Sequence, residues 1–138
     1  MTLIMPMKPG GAGRLRAKLA DPRAYVAAER VGTVHDMRYV LIDDDTKLLF
    51  CTAYDGDWDA YINDFATMVP EMLDFVFEEV DGWPGLRDYP KQTVDFVAAH
   101  QVTADGWYCA YPDATVKDVH RDQQITKAFN QLLDAAQS

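Results

Sequence analysis

The sequence predicts one α+β domain built on an antiparallel sheet. Two β-rich runs, residues 33–42 and 47–54, flank a polar tetrapeptide, which is typical of a β-hairpin. Apolar residues then recur at helical spacing through residues 58–69 and 70–80, which predicts two consecutive amphipathic helices. At 138 residues the chain has the size of a single domain, which we assign to residues 1–138.

The first elements are a strand and two helices. Residues 2–7 have the composition of a short strand, and the Pro and Gly residues at 9–10 end it. The stretch 11–20, rich in Ala, Arg and Leu, predicts a helix that Pro22 breaks. A second helix over residues 22–30 has this proline in its first turn, where the missing N–H is harmless.

Further helices and a last strand follow the hairpin. Residues 90–100 predict a short helix, residues 107–111 a strand, and the apolar positions from Ile125 to Ala136 one side of a terminal helix. The order is strand, helix, strand, strand, helix, strand, with extra helices before and after the fourth strand. This is the ferredoxin-like βαββαβ order, in which the first and third strands are central and the fourth lies beside the first.

The hairpin assigns each residue of its strands to one face of the sheet. If Ile42 faces Lys47 across the turn, alternation places His35 opposite Tyr54. One face then carries His35, Met37, Tyr39, Leu41, Leu48, Phe50, Thr52 and Tyr54. The other face carries Asp36, Arg38, Val40, Ile42, Lys47, Leu49, Cys51 and Ala53. On that second face, Asp36 and Arg38 most simply form a surface ion pair.

A four-stranded sheet of this kind covers one face with its own helices and leaves the other bare. Both faces of the hairpin contain apolar residues, so the bare face needs a partner. The simplest partner is a second copy whose sheet closes the two into a barrel. We therefore predict a homodimer or higher oligomer of the α+β barrel type.

Methionine and aromatic residues are candidates for an apolar pocket. Flexible methionines suit irregular cavities, either between helices and sheet or inside a dimer barrel. A histidine would add an imidazole able to act as acid, base or ligand. The candidate pocket consists of His35, Met37, Tyr39, Phe50, Tyr54, Met5 and Trp107. The apolar members of this set could equally form solid core, and His35 could be a hydrogen-bonded histidine at its mouth.

Charge and composition exclude several classes of partner. Asp and Glu total 22 against 13 Lys and Arg, and the net charge of −9 repels nucleic acids and anionic membrane surfaces. No apolar run approaches the length of about 20 residues of a membrane helix, and residues 1–10 lack a signal peptide's pattern. We expect a cytoplasmic protein in which Cys51 and Cys109 stay reduced. The histidines and cysteines lack metal-ligand spacing, so we expect no metal.

Three stretches carry a resemblance to a known family: LIDDDTKLLF at 41–50, YDGDWDAYI at 54–62 and GWPG at 82–85. They resemble an uncharacterised bacterial family of the dimeric α+β barrel superfamily. The resemblance implies that fold and, through haem-peroxidase relatives in the superfamily, a haem cofactor as an alternative. The Gly-x-x-Asp-Gly motif of dye-decolourising peroxidases corresponds to residues 102–106, where Val102 replaces the first glycine. No catalytic residue is carried over.

Three functions fit these expectations. The first is a homo-oligomeric barrel that binds or transforms a small hydrophobic molecule in an apolar cavity without a metal. The second is a haem-binding or peroxidase-like protein, for which the resemblance and the histidines are the grounds. The third is a structural or regulatory association module with no active site. The sequence contains no catalytic signature that decides whether the chain is an enzyme.

Overall fold

A computed structural model describes all 138 residues, and it contains one three-stranded antiparallel sheet and six helices. The predicted α+β class is confirmed. The chain divides into two compact units, Met1–Trp107 and Tyr108–Ser138. The elements are β1 (Thr2–Pro6), α1 (Gly11–Leu19), α2 (Arg23–Val31), β2 (Val34–Ile42), β3 (Lys47–Tyr54), α3 (Trp58–Met68), α4 (Pro70–Phe77), α5 (Pro90–Ala99) and α6 (Val116–Gln137).

The strand order of the sheet is β1-β3-β2, with β3 antiparallel to both neighbours. The predicted hairpin is confirmed in its register over most of its length, since Ile42 pairs with Lys47 and Tyr39 with Phe50. Residues Asp43–Asp45 make the turn in the left-handed region, with φ of 53°, 53° and 66°. Aspartate tolerates this conformation better than most side chains, because its short polar group can hydrogen-bond locally.

The predicted pairing of His35 with Tyr54 is wrong. A bulge between Val34 and Asp36 gives β2 one residue more than β3 at this end of the hairpin, so Tyr54 pairs with Val34. Beyond the bulge the predicted alternation is correct, because Asp36 pairs with Ala53 and Met37 pairs with Thr52. His35 therefore lies outside the regular strand pairing that positions the other residues of its predicted face.

The predicted fourth strand over residues 107–111 is also wrong, since no strand forms there. Four of these five residues are exposed, and a β-rich segment without a buried face lacks the packing that stabilises a strand. Residues just before this segment occupy the position beside β1. Gln101 forms an isolated antiparallel bridge with Leu3, and the Val102 amide donates a 2.9 Å hydrogen bond to the Thr2 carbonyl.

The core lies on one face of the sheet. Strand residues there alternate in and out, and the inward ones of β1 and β3 include Met5 and Leu48 at 0% exposure. The five helices of the first unit each contribute buried side chains to this core, as their helical periodicity predicts. These helix residues include Leu15, Ala27, Phe65, Val76 and Val97.

The second unit contains one long helix, α6, and the predicted terminal helix is thereby confirmed. A capping box starts α6: the Thr115 hydroxyl accepts from the Asp118 amide, and the Asp118 carboxylate accepts from the Thr115 amide, both at 3.1 Å. None of the α6 residues is buried. Across the whole chain, no helix combines the length and the apolar content needed to span a bilayer.

Two glycines of α1 give a matched test of this packing. A Cβ at Gly11 would lie 2.9 Å from the carbonyl oxygen of Glu79, whereas a Cβ at Gly13 would meet nothing within 4 Å. We expect Gly11→Ala to lower the free energy of unfolding by about 1–3 kcal/mol, because the backbone must shift. Gly13→Ala should raise it by about 0.5–1 kcal/mol through helix propensity. Urea unfolding followed by circular dichroism measures both, and equal midpoints would contradict this packing of α1.

Candidate functional site

Five of the predicted pocket residues lie in the core or against it, and the fifth, Tyr54, packs against the core cluster from the end of β3. Met5 and Phe50 are 0% and 2% exposed, and Met37 and Tyr39 are partly buried against the same core cluster. The ring centroids of Tyr39 and Phe50 lie 5.0 Å apart, and those of Phe50 and Phe77 lie 5.3 Å apart. The structure thus brings these residues together as closely packed side chains.

A small cavity remains within this core. Its volume is about 30 Å³, and it is lined by apolar side chains that include Leu3, Phe50, Phe65, Phe77 and Trp83. This is about the share of liquid volume that one water molecule takes, and far below the roughly 300–1,000 Å³ of small-molecule pockets. Among the predicted pocket residues, only Phe50 lines it. This cavity in the core is therefore too small for an ordinary small-molecule ligand.

The tyrosine hydroxyls near the predicted pocket stay protonated at neutral pH. Burial raises the pKa of Tyr39 far above its ordinary value and raises the pKa of Tyr61 to about 12. Burial also raises the pKa of Tyr54, whose ring stacks on that of Tyr61 with centroids 3.9 Å apart. A neutral phenol can donate a hydrogen bond, but it is not available as a general base.

His35 lies at the bulge of β2 and is not part of the core cluster. Its Nε2 is 2.7 Å from Oδ1 of Asp55, the residue that follows β3, and its side chain is 34% exposed. The carboxylate fixes the orientation of the imidazole ring. The structure therefore gives His35 an acidic partner near the end of the sheet and does not bring it into the aromatic cluster.

The second face of the sheet, which we call the open face, carries no buried residue. The strand register arranges its side chains in rows that cross β2, β3 and β1 in that order. The aliphatic row is Val40, Leu49 and Ile4, and the neighbouring polar row is Arg38, Cys51 and Thr2. Val40 is 44% exposed, whereas Leu49 and Ile4 are partly buried, so this apolar row of the sheet is partly open to water.

A groove of about 600 Å³ lies at the polar row, within the usual size range of small-molecule pockets. Its walls come from all three strands and from the segment 101–107. Two of the predicted pocket residues line it, Tyr54 and Trp107, and Trp107 is 76% exposed. The other lining residues include Thr2, Asp36, Arg38, Cys51, Ala53 and Val102.

Arg38 is the one lysine or arginine among the lining residues of the groove. The predicted ion pair between Asp36 and Arg38 does not form, because Arg38 has no acidic oxygen within 4.0 Å, although five of the seven arginines do. Residues two apart in a strand are separated by about 7 Å, so their side chains need to bend towards each other to pair. The groove therefore contains an unpaired guanidinium.

Sequence reasoning assigns Arg38, Cys51 and Ala53 to the correct face, but it does not identify them as site residues. Alternation along the hairpin is the signal that groups them, and the uncovered face of the sheet is where a ligand has access. The aromatic content of the opposite face favours a pocket there, yet aromatic side chains are also the usual content of a core. The contribution of segment 101–107 to the groove has no sequence signal that we can identify.

No protein-family model, no curated protein and no solved structure matches the chain. Within the structure, no group of three or more His, Cys, Asp or Glu side chains is placed to hold a metal ion. A function for this chain is therefore inferred from the open face and its groove.

Proposed function

We propose that the chain forms a homodimer through its open face and binds a small hydrophobic molecule in the groove without using a metal. The observation that carries the proposal is the presence, on one face of the sheet, of both a partly exposed aliphatic row and a groove of about 600 Å³. A ferredoxin-like fold that pairs into an α+β barrel is part of this proposal, as is a location in the cytoplasm, where Cys51 and Cys109 stay reduced.

The strand order supports the ferredoxin-like part of the proposal. In that topology β3 lies between β1 and β2, which is the order of this sheet. The fourth strand belongs beside β1, where the Leu3–Gln101 bridge lies. A fourth strand reduced to one bridge leaves the next residues of the chain free to wall the groove.

The aliphatic row supports a second copy of the chain as the partner. Two-fold symmetry places the same surface of each copy against the other, so the row formed by Val40, Leu49 and Ile4 would meet itself. Stacked sheets pack about 10 Å apart, close enough for such side chains to interdigitate. The polar row and groove would then lie along the wall of the barrel, partly shielded from water.

The lining of the groove bears on the haem alternative. A haem held by a protein commonly needs an axial histidine, cysteine, methionine or tyrosine ligand. In this sequence the histidines are the residues that suggest a haem. No histidine lines the groove, and the Nε2 of His35 is engaged by Asp55. The residues present therefore do not fit a histidine-ligated haem in this groove, and we propose a site without one.

A charge placed in the aliphatic row tests the dimer. We expect the wild-type chain to sediment as a particle of twice 15.6 kDa, and Val40→Lys to sediment as a monomer, because two ammonium groups would be forced into an apolar contact. Met68→Lys is the matched control, since Met68 is also exposed, at 54%, but lies on α3. Analytical ultracentrifugation measures the masses, and circular dichroism confirms that both variants remain folded.

A wild-type chain that stays monomeric at high concentration would contradict the dimer. Native mass spectrometry of freshly purified protein tests the ligand in the same sample, since it reports the subunit number and any small molecule that co-purifies. A dimer with a bound small molecule supports the proposal. A dimer whose groove is closed by side chains, with no molecule bound, would favour the association module instead.

A further inference from the structure

We propose that the groove binds an organic carboxylate with an apolar body, and that Arg38 recognises its charged group. This inference rests on the proposed function, because it names the chemical class of the ligand for the same groove. It goes further in requiring an anion, whereas the apolar part of the lining alone would accept a neutral molecule.

The first support is the state of the guanidinium. Arg38 and Arg30 are the two arginines of the chain without an acidic oxygen within 4.0 Å. Arg38 lies on the edge strand β2, across from Cys51 in the register, and its side chain is exposed on the groove side of the sheet. In the proposed closed barrel this face would be shielded from water, and an unpaired buried charge is costly unless an anion pairs with it.

The second support is the chemistry that surrounds Arg38. A guanidinium presents parallel N–H donors in a planar fork that matches the two oxygens of a carboxylate. The remaining walls include the ring of Trp107 and the small apolar side chains of Ala53 and Val102. A cationic fork beside an indole and aliphatic carbons fits a molecule with one charged end and one flat or oily body.

The position of Asp36 favours a ligand with a single negative charge over one with two. Its carboxylate belongs to the same groove lining and to the same strand as Arg38, and it repels any anion that enters. A phosphate monoester carries nearly two charges at neutral pH and meets about twice this repulsion. The chain as a whole adds to it with a net charge of −9. A singly charged carboxylate is therefore favoured over a phosphate.

Matched probes separate charge from shape. 2-Naphthoate and 2-naphthamide share a ring system and differ in the charge of the substituent. Isothermal titration calorimetry with the wild-type protein should show naphthoate binding at least about 10-fold more tightly than naphthamide, the effect expected of hydrogen bonds to a charged group. Arg38→Gln should weaken naphthoate binding by about 10- to 100-fold and leave naphthamide binding nearly unchanged.

Two further variants serve as controls. Arg30→Gln removes the other unpaired guanidinium, which lies on α2 outside the groove lining, and should leave the affinity for naphthoate unchanged. Asp36→Asn removes the repelling carboxylate and should strengthen naphthoate binding while leaving naphthamide binding unchanged. Sedimentation of each variant shows whether the oligomer is preserved.

Several outcomes would overturn this inference. They are equal affinities of the wild-type protein for the two probes, no measurable binding of either probe, or naphthoate affinity that survives Arg38→Gln. If Arg38→Gln dissociates the dimer and leaves naphthoate binding intact, Arg38 belongs to the subunit interface and the carboxylate site is wrong. If the wild-type chain is monomeric and still binds naphthoate through Arg38, the carboxylate site stands and the proposed dimer fails.

Discussion

Replacing Phe50 by alanine is expected to lower the free energy of unfolding by about 3–5 kcal/mol. The side chain is 2% exposed, and its ring lies 5.0 Å from that of Tyr39 and 5.3 Å from that of Phe77. Truncation removes the buried ring and enlarges the small cavity that Phe50 already lines. The protein then loses the transfer free energy of the ring and also bears the cost of the larger cavity. Urea unfolding at a fixed protein concentration measures the change.

Phe129→Ala is the matched control, because it makes the same chemical change at a position that is 57% exposed on α6. We expect it to change stability by less than about 0.5 kcal/mol. Phe50→Leu should cost less than Phe50→Ala, because it keeps most of the buried volume. If Phe50→Ala is as stable as the wild type, Phe50 lines a ligand pocket with room to spare, and its assignment to the core is wrong.

Phe50 also shows why the candidate site could be predicted only in part. The sequence places Phe50, Met37 and Tyr39 on one face of the hairpin, and the structure confirms that they share it. The same residue types suit a pocket and a core, so composition does not distinguish the two. The distinction depends on how closely the helices pack on that face, which is a tertiary property.

The hairpin is the part of the fold that local sequence fixes best. A polar turn and regular alternation set the register from Ile42 back to Met37, because a slip of one residue would turn every side chain to the other face. The bulge before Asp36 breaks this alternation, and nothing in the residue types around His35 indicates where an extra residue is inserted. The prediction therefore fails at His35, the one candidate residue with an imidazole ring.

The fourth strand fails for a related reason. Residues 107–111 have aromatic side chains and a strand-like composition, but pairing beside β1 is already provided by Gln101 and Val102. Strand propensity acts through packing against neighbours, and this exposed segment has no buried face that would stabilise it as a strand. Trp107 is consequently left as an exposed wall of the groove, a position that its propensity does not indicate.

Replacing Asp74 by alanine is expected to lower the free energy of unfolding by about 2–4 kcal/mol. Asp74 lies in α4, and its carboxylate accepts three hydrogen bonds from the loop that follows: from the Trp83 indole N–H at 2.8 Å, the Leu86 amide at 2.6 Å and the Arg87 amide at 3.0 Å. Removing this acceptor leaves partly buried donors without a partner, which costs more than the bonds themselves contribute.

The loop that Asp74 holds also packs an aromatic ring onto the core, so the loss should extend beyond hydrogen bonds. The Trp83 ring stacks on Phe77 with centroids 5.0 Å apart, and its fluorescence should report a looser environment in Asp74→Ala. Asp74→Asn keeps one acceptor oxygen and should cost about half as much. Asp95→Ala is the control, because its ion pair with Lys91 is exposed and contributes less than about 1 kcal/mol. Equal stabilities of the Asp74 and Asp95 alanine variants would show that solvent replaces the carboxylate and that the loop needs no anchor on α4.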